Sequence, residues 1–154
     1  MFAISFFDLT SFGQIADIKY KTFFNKNYEL GDLILAPTIN FACSGGEHVL
    51  QESYSSVKVI ADFLLSHPTF KVEIGVYTDL RGGKEMNKKL SKIWSERLKE
   101  VLIKYGIKAE RMISVGYGEL TSSADDEIIK KAASDEKEKL CAKNRRIEIK
   151  LIEI

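Results

Sequence analysis

Arg81-Gly-Gly-Lys84 is the segment that most invites a chemical reading, because a glycine-rich turn ending in lysine can cradle phosphates. A phosphate loop of that kind needs a glycine five residues before the Gly-Lys pair and a Ser or Thr after it. Thr78 and Glu85 hold those places, so the pattern fails. Gly116-Tyr-Gly118-Glu119 lacks the third glycine of a dinucleotide fingerprint and opens no helix. Asp125-Asp126-Glu127 offers oxygens for calcium, but without the alternate spacing and central glycine of an EF-hand loop. It reads better as the acidic first turn of a helix, where the macrodipole favours negative charge. No serine or cysteine stands in a nucleophile motif with a histidine. His48 and His67 are too few and too scattered for a histidine metal site, and two cysteines 98 positions apart make neither a zinc knuckle nor a CxxC pair. These residues point away from an enzyme and from any cofactor or metal.

The composition narrows the classes further. The chain has 154 residues, 45% apolar and 29% charged, which suits one ordinary globular domain with a remainder. Lys plus Arg number 23 against 22 Asp plus Glu, a formal charge of +1. So even a balance supplies no polyanion-binding face, and no nucleic-acid partner is expected. No run approaches the roughly 20 apolar residues that span a bilayer, so no transmembrane segment is expected in this chain.

The elements that must position any site follow from periodicity. Leu33–Phe41 alternates as a strand, and Pro37 sends it to a sheet edge. Leu50, Tyr54, Val57, Ile60, Ala61 and Leu64 recur at three and four as one helix face, stopped by Ser66-His-Pro68. Val72, Ile74 and Val76 alternate as a second strand. A helix runs from about Glu85 to Tyr105 with Met86, Leu90, Ile93, Trp94, Leu98, Val101 and Leu102 on one face, and Gly106 ends it. Met112–Tyr117 is a third strand, 125–143 a charged helical insert with six acids and five lysines, and Ile147, Ile149 and Leu151 mark a last strand. The order is βαβαβ(α)β. It predicts an α+β two-layer sandwich: a mixed four-stranded sheet with helices on one face and a partly solvated opposite face.

The first thirty residues read differently. Residues 1–14 are an apolar run followed by small and polar residues, like the tail of a clipped secretory signal peptide without its basic start. Residues 15–32 interleave Lys19, Lys21 and Lys26 with Tyr20, Phe23, Phe24 and Tyr28. They read as a linker or edge segment leaning on a domain that occupies 33–154.

Five fragments in register carry a resemblance: Val72-Glu-Ile-Gly-Val-Tyr-Thr78-Asp79-x-Arg-Gly82, Asn87-x-x-Leu90-Ser91, Gly106-Ile107, Gly116-Tyr-Gly-Glu119 and Asn144-Arg145-Arg146-Ile-Glu-Ile149. Together they resemble the OmpA-like family, over roughly residues 33–154. That family binds peptidoglycan non-covalently in the Gram-negative periplasm. The resemblance implies a non-enzymatic module that anchors the outer membrane or an envelope complex to the cell wall. Its ligand would be the zwitterionic diaminopimelate end of the stem peptide.

The resemblance also implies a site at Thr78, Asp79, Arg81, Asn87, Arg97, Asn144 and Arg145. Asp79, where the second strand ends, would accept the ligand's ammonium in a charge-assisted hydrogen bond. The N-terminus of the following helix favours a carboxylate. Asn87 would organise the loop, and Leu90 would be core. Asn144 and Arg145, at the start of the last strand, would reach the same sheet edge as Asp79.

One departure changes the expected pocket. The family's arginine, fifteen residues after the aspartate, is here Trp94, which falls within the apolar helix stripe. Arg97 lies three residues on, about 60° round and roughly 4.5 Å up the helix. The carboxylate contact thus falls to Arg97, Arg145 or Arg81, and a pocket that has lost its ligand and serves as an interaction domain is the competing reading. Tyr77 stands where the family usually carries His. Cys43 and Cys141 flank the first and last strands. If those strands are antiparallel neighbours a disulfide between them is open, and two separate thiols is the other reading.

Overall fold

The computed structural model describes residues 19–41, 48–120 and 129–154. The leader-like residues 1–14, Cys43, the Ser44-Gly-Gly46 loop and the Asp125–Glu127 acid run lie outside the described residues. Four strands form one mixed sheet: β1 (Leu33–Leu35), β2 (Lys71–Tyr77), β3 (Met112–Gly118) and β4 (Arg146–Glu153). Their spatial order is β1-β4-β2-β3. The last strand in the chain thus lies between the first and second, antiparallel to both, while β2 and β3 are parallel. Helices α1 (Tyr54–Ser66), α2 (Lys84–Lys104) and α3 (Ser134–Asn144) accompany the sheet, with single 3-10 turns at Gln51–Ser53 and Ala109–Arg111. The expected α+β order is the observed one.

Strand alternation sends two different sets of side chains to the two faces of the sheet. Ile34, Val72, Ile74, Val76, Ile147, Ile149 and Leu151 face one way, in register rows such as Ile34–Ile149–Ile74. They form a single core with Val57, Ile60, Ala61 and Leu64 of α1 and Leu98, Val101 and Leu102 of α2. The other face carries Glu73, Gly75, Tyr77, Arg146, Glu148 and Lys150. There Tyr77 and Tyr117 stack at 4.7 Å and 10°, and Arg146 lies 3.8 Å over the Tyr77 ring. Tyr20 donates to Glu148 from the same side, and Lys21 pairs with Ile34, so residues 19–32 run along the β1 edge. Phe23 and Tyr28 of this segment pack edge-on against Phe63 of α1.

Both long helices end by identifiable devices. Gly106 takes φ +95, and the Gly106 and Ile107 amides donate to the carbonyls of Ile103 and Leu102, closing α2 in a Schellman turn with Ile107 buried behind it. The Arg111 guanidinium donates to the carbonyls of Leu64, His67 and Phe70, tying the end of α1 to the turn that leads into β2.

Three expectations need correction. β1 stops at Leu35 rather than continuing to Phe41, because Pro37 has no amide to extend the ladder beyond Ala36, whose own amide still reaches Ile147. Ile39 and Phe41 are nonetheless buried. Tyr54 stands on the exposed side of α1, and Phe63 is buried instead. The largest correction concerns the first half of α2. Met86 is 62% exposed and Leu90 only half-buried, while Asn87, Ser91 and Ser95 are buried. The cause is the neighbour: a Cβ placed on Gly116 of β3 would stand 2.1 Å from the Lys92 backbone nitrogen, and one on Gly118 3.0 Å from that of Lys88. α2 lies directly on a glycine track, which leaves room beneath it only for small side chains. Ser91 Oγ accepts the Gly118 amide at 2.8 Å and ties the two elements together.

Candidate functional site

The site is built where β2 ends. Thr78 and Asp79 follow Tyr77 directly; the Thr78 amide still donates to the Gly118 carbonyl, so both residues remain fixed to the sheet and both are buried. The turn from Leu80 to Gly83 then feeds α2. Gly82 takes φ +96, and a Cβ on it would meet Asn87 Oδ1 at 3.4 Å. Asn87, one turn into α2 and buried, aims its amide nitrogen at the carbonyls of Asp79 and Arg81 and at Glu119 Oε2, at 3.2, 3.1 and 2.6 Å. A glycine-permitted turn clamped by one asparagine therefore sets the position of Asp79 and Arg81.

Asp79 is the centre of the cluster, its side chain 7% exposed. Oδ1 accepts the Arg81 backbone amide at 2.9 Å, an Asx-type closure of the turn. Oδ2 accepts Arg81 Nε and Nη2 at 3.0 and 2.6 Å, and Arg145 Nη1 at 2.5 Å. Arg145 arrives here because β4 runs antiparallel beside β2, with Arg146 opposite Tyr77. Burial opposes the charge on Asp79, and the hydrogen bonds from Arg81 and Arg145 overturn that penalty and hold its carboxyl below the usual range. The two guanidinia reach outward as well. Arg81 Nη1 donates to Glu138 Oε2 at 3.0 Å and Arg145 Nη2 to Glu138 Oε1 at 2.8 Å. The Arg145 hydrogen bond holds the exposed Glu138 carboxyl below its ordinary value.

Two polar atoms beside this cluster are buried without a hydrogen-bond partner among the described residues: Thr78 Oγ1 and Asn144 Nδ2. Buried polar groups are ordinarily paired, so this pair marks unspent hydrogen-bonding capacity at the ends of the two central strands.

Of the residues expected at the site, Thr78, Asp79, Arg81, Asn87, Asn144 and Arg145 converge on the adjoining ends of β2, β4 and α2. Arg97 does not join them. It forks onto Glu100 on the exposed side of α2, ten residues and about 15 Å along the helix from Asn87. Trp94, half-buried, stacks on Phe41 at 5.1 Å and 9°. Glu138 is the member that sequence reasoning missed. Its only signal is a carboxylate seven residues before Arg145, two helical turns on one face. Cys141 is buried on α3 with no disulfide partner among the described residues; its suggested partner Cys43 lies outside them.

Comparison with known proteins gives the family and the fold. A family model described as the OmpA family matches residues 44–139. Outer membrane porin F of Pseudomonas fluorescens is 41% identical over 78 residues, which is 51% of this chain and 24% of that protein. The chain therefore aligns with about a quarter of this relative's length. Among solved structures, the peptidoglycan-associated lipoprotein from Burkholderia pseudomallei superimposes with a TM-score of 0.55 at 22% identity, covering 77% of this chain and 91% of that one. The cell wall anchor of the T6SS from Pseudomonas aeruginosa gives 0.53 at 22%, covering 74% and 76%. At that level of identity the two structures attest to the fold.

Proposed function

The chain belongs to the OmpA family, and from that membership we propose that it is a binding module that holds an envelope component to peptidoglycan non-covalently in the periplasm. The family match and a peptidoglycan-associated lipoprotein and a cell wall anchor among its structural neighbours support this reading. The single observation that carries it at the residue level is the buried Asp79 carboxylate at the end of central strand β2, flanked by Arg81 and Arg145 and by Thr78 Oγ1 and Asn144 Nδ2, which have no partner among the described residues.

The chemistry suits a zwitterion. Asp79 Oδ1 takes one backbone amide and keeps acceptor capacity for an ammonium. Arg81 and Arg145 present guanidinium donors to a carboxylate beside it. Thr78 and Asn144 supply neutral hydrogen bonds that fix orientation. Arg145, held to Asp79 from the neighbouring strand, takes the part that Trp94 leaves vacant on α2. The work asked of these residues is recognition, with no proton or group transferred.

Co-sedimentation with purified sacculi tests the proposal. The wild-type chain is retained. Asp79→Ala and Arg145→Ala each reduce retention about thirtyfold, the low end of the cost of truncating a hydrogen-bonded charge pair, since Asp79 is buried and Arg145 only partly so. Absence of wild-type binding, or retention unchanged in both variants, supports instead a domain of the same fold in which Trp94, stacked on Phe41, has displaced the pocket arginine and left an interaction surface.

A further inference from the structure

Asp79, Arg81, Glu138 and Arg145 form a closed ring of alternating charge, and its two carboxylates are not equivalent. Asp79 is 7% exposed and tied to the β2–α2 turn by the Arg81 amide, so it is a fixed part of the end of β2. Glu138 is 57% exposed and touches the ring only through the outward nitrogens of the two arginines, one oxygen to each, at 3.0 and 2.8 Å. A carboxylate that approached Arg81 and Arg145 from solvent would bridge the same two nitrogens in the same way. Glu138 thus occupies the position a ligand carboxylate would take.

The helix that delivers Glu138 is lightly held. Within α3 only Cys141 and Asn144 are buried, both in its last turn, while Ser134–Lys139 is exposed throughout. The residue that starts the helix, Ala133, offers no side-chain cap. Segments with so little buried contact open at low free-energy cost, so withdrawal of Glu138 need not disturb the core. Exposed ion pairs are also the weak, exchangeable kind. The pairs that the buried Asp79 makes with the same arginines, at 2.6 and 2.5 Å, would survive the exchange and keep both guanidinia aimed.

We propose that Glu138 is a built-in competitor: an intramolecular carboxylate on α3 that covers the Arg81–Arg145 pair until the carboxylate of the ligand displaces it. The inference rests on the stem-peptide reading of the site and adds its regulation. Displacement couples ligand entry to movement of α3, so a surface contact that pulls α3 away would strengthen cell-wall binding, and one that clamps it would weaken binding.

The experiment is a calorimetric titration of the full chain with a synthetic stem peptide carrying diaminopimelate, using wild type, Glu138→Gln, Glu136→Gln and Asp79→Asn. Glu136 lies two residues away, about 200° round the helix, and controls for a general change of charge. The expected result is affinity roughly three- to tenfold tighter in Glu138→Gln, the release of two exposed ion pairs. Glu136→Gln should match wild type, and Asp79→Asn should lose binding. The substitution is isosteric on an exposed side chain, and an unchanged thermal midpoint confirms an intact fold. If wild type binds and Glu138→Gln binds equally or more weakly, or Glu136→Gln tightens as much, the competitor role is overturned while the site stands. If no protein binds, the reading of the site fails and this inference with it.

Discussion

Asp79 combines burial with charge, and its pH behaviour follows from the balance between them. Its folded-state carboxyl titrates below the ordinary value of 3.8, because the Arg81 and Arg145 hydrogen bonds outweigh desolvation. A depressed carboxyl contributes stability that is present above its unfolded value and lost as pH falls through the folded one. Acid unfolding followed by circular dichroism should therefore show wild type losing stability relative to Asp79→Asn below about pH 3.8, and holding its advantage above it. Tyr20 behaves in the opposite sense. Burial and the hydrogen bond to Glu148 push its phenol up to about 12 from 10.0. Its contribution is complete below pH 10 and declines as pH rises from there towards 12. Tyr20→Phe should unfold less steeply than wild type over that alkaline window, when measured by urea midpoints at stepped pH. Sequence resemblance reached most of the residues that converge at the end of β2, because they lie in short contiguous fragments. It could not reach Glu138, whose place is set by the packing of a helix rather than by a motif.

At the scale of the element, the α2–β3 contact shows where periodicity misleads. Apolar residues at Met86, Leu90, Ile93 and Trp94 suggested a continuous greasy stripe, yet the buried residues of that half are Asn87, Ser91 and Ser95. Helical spacing reports a candidate face, but the partner surface decides which face is used. Here the partner is the bare backbone of Gly116 and Gly118, which admits a helix only on its smallest side chains. Gly116→Ala should be among the most damaging single changes in the chain. Its methyl would overlap helix backbone, which cannot move aside as a flexible side chain can. A loss of roughly 3 kcal/mol or more is expected, at the upper end for overpacking. A urea midpoint shifted by less than about 0.5 kcal/mol equivalent, the range of neutral surface changes, would show that α2 does not lie on this track.

At the scale of the whole molecule, the sheet order makes the C-terminus indispensable. β4 is the last strand in sequence but sits between β1 and β2, and it supplies Ile147, Ile149 and Leu151 to the core and places Arg145, the residue before it, beside Asp79. Each of those buried aliphatics is worth about 2–5 kcal/mol on removal, and together they match the roughly 5–15 kcal/mol by which whole domains are stable. A chain ending at Arg145 should therefore have no cooperative thermal transition and no dispersed amide spectrum. One that unfolds cooperatively would contradict the central placement of β4. The charge balance fits the same picture. A formal +1 on 154 residues suits the proposed zwitterion site, which would use a few paired groups at the ends of the two central strands.

The sequence by itself determined the element order, the α+β class, the family and the short fragments from which the site is made. Those features are local: alternation, helical spacing, stop signals and contiguous motifs survive in one dimension. Only the tertiary structure decided that β4 enters the middle of the sheet and that α2 rests on glycine backbone. It also decided that Arg145 rather than Arg97 stands at Asp79, and that Glu138 closes the ring. Each of those depends on which surfaces meet across long separations in the chain, and the side chains that win a buried place do so by fitting the partner they meet.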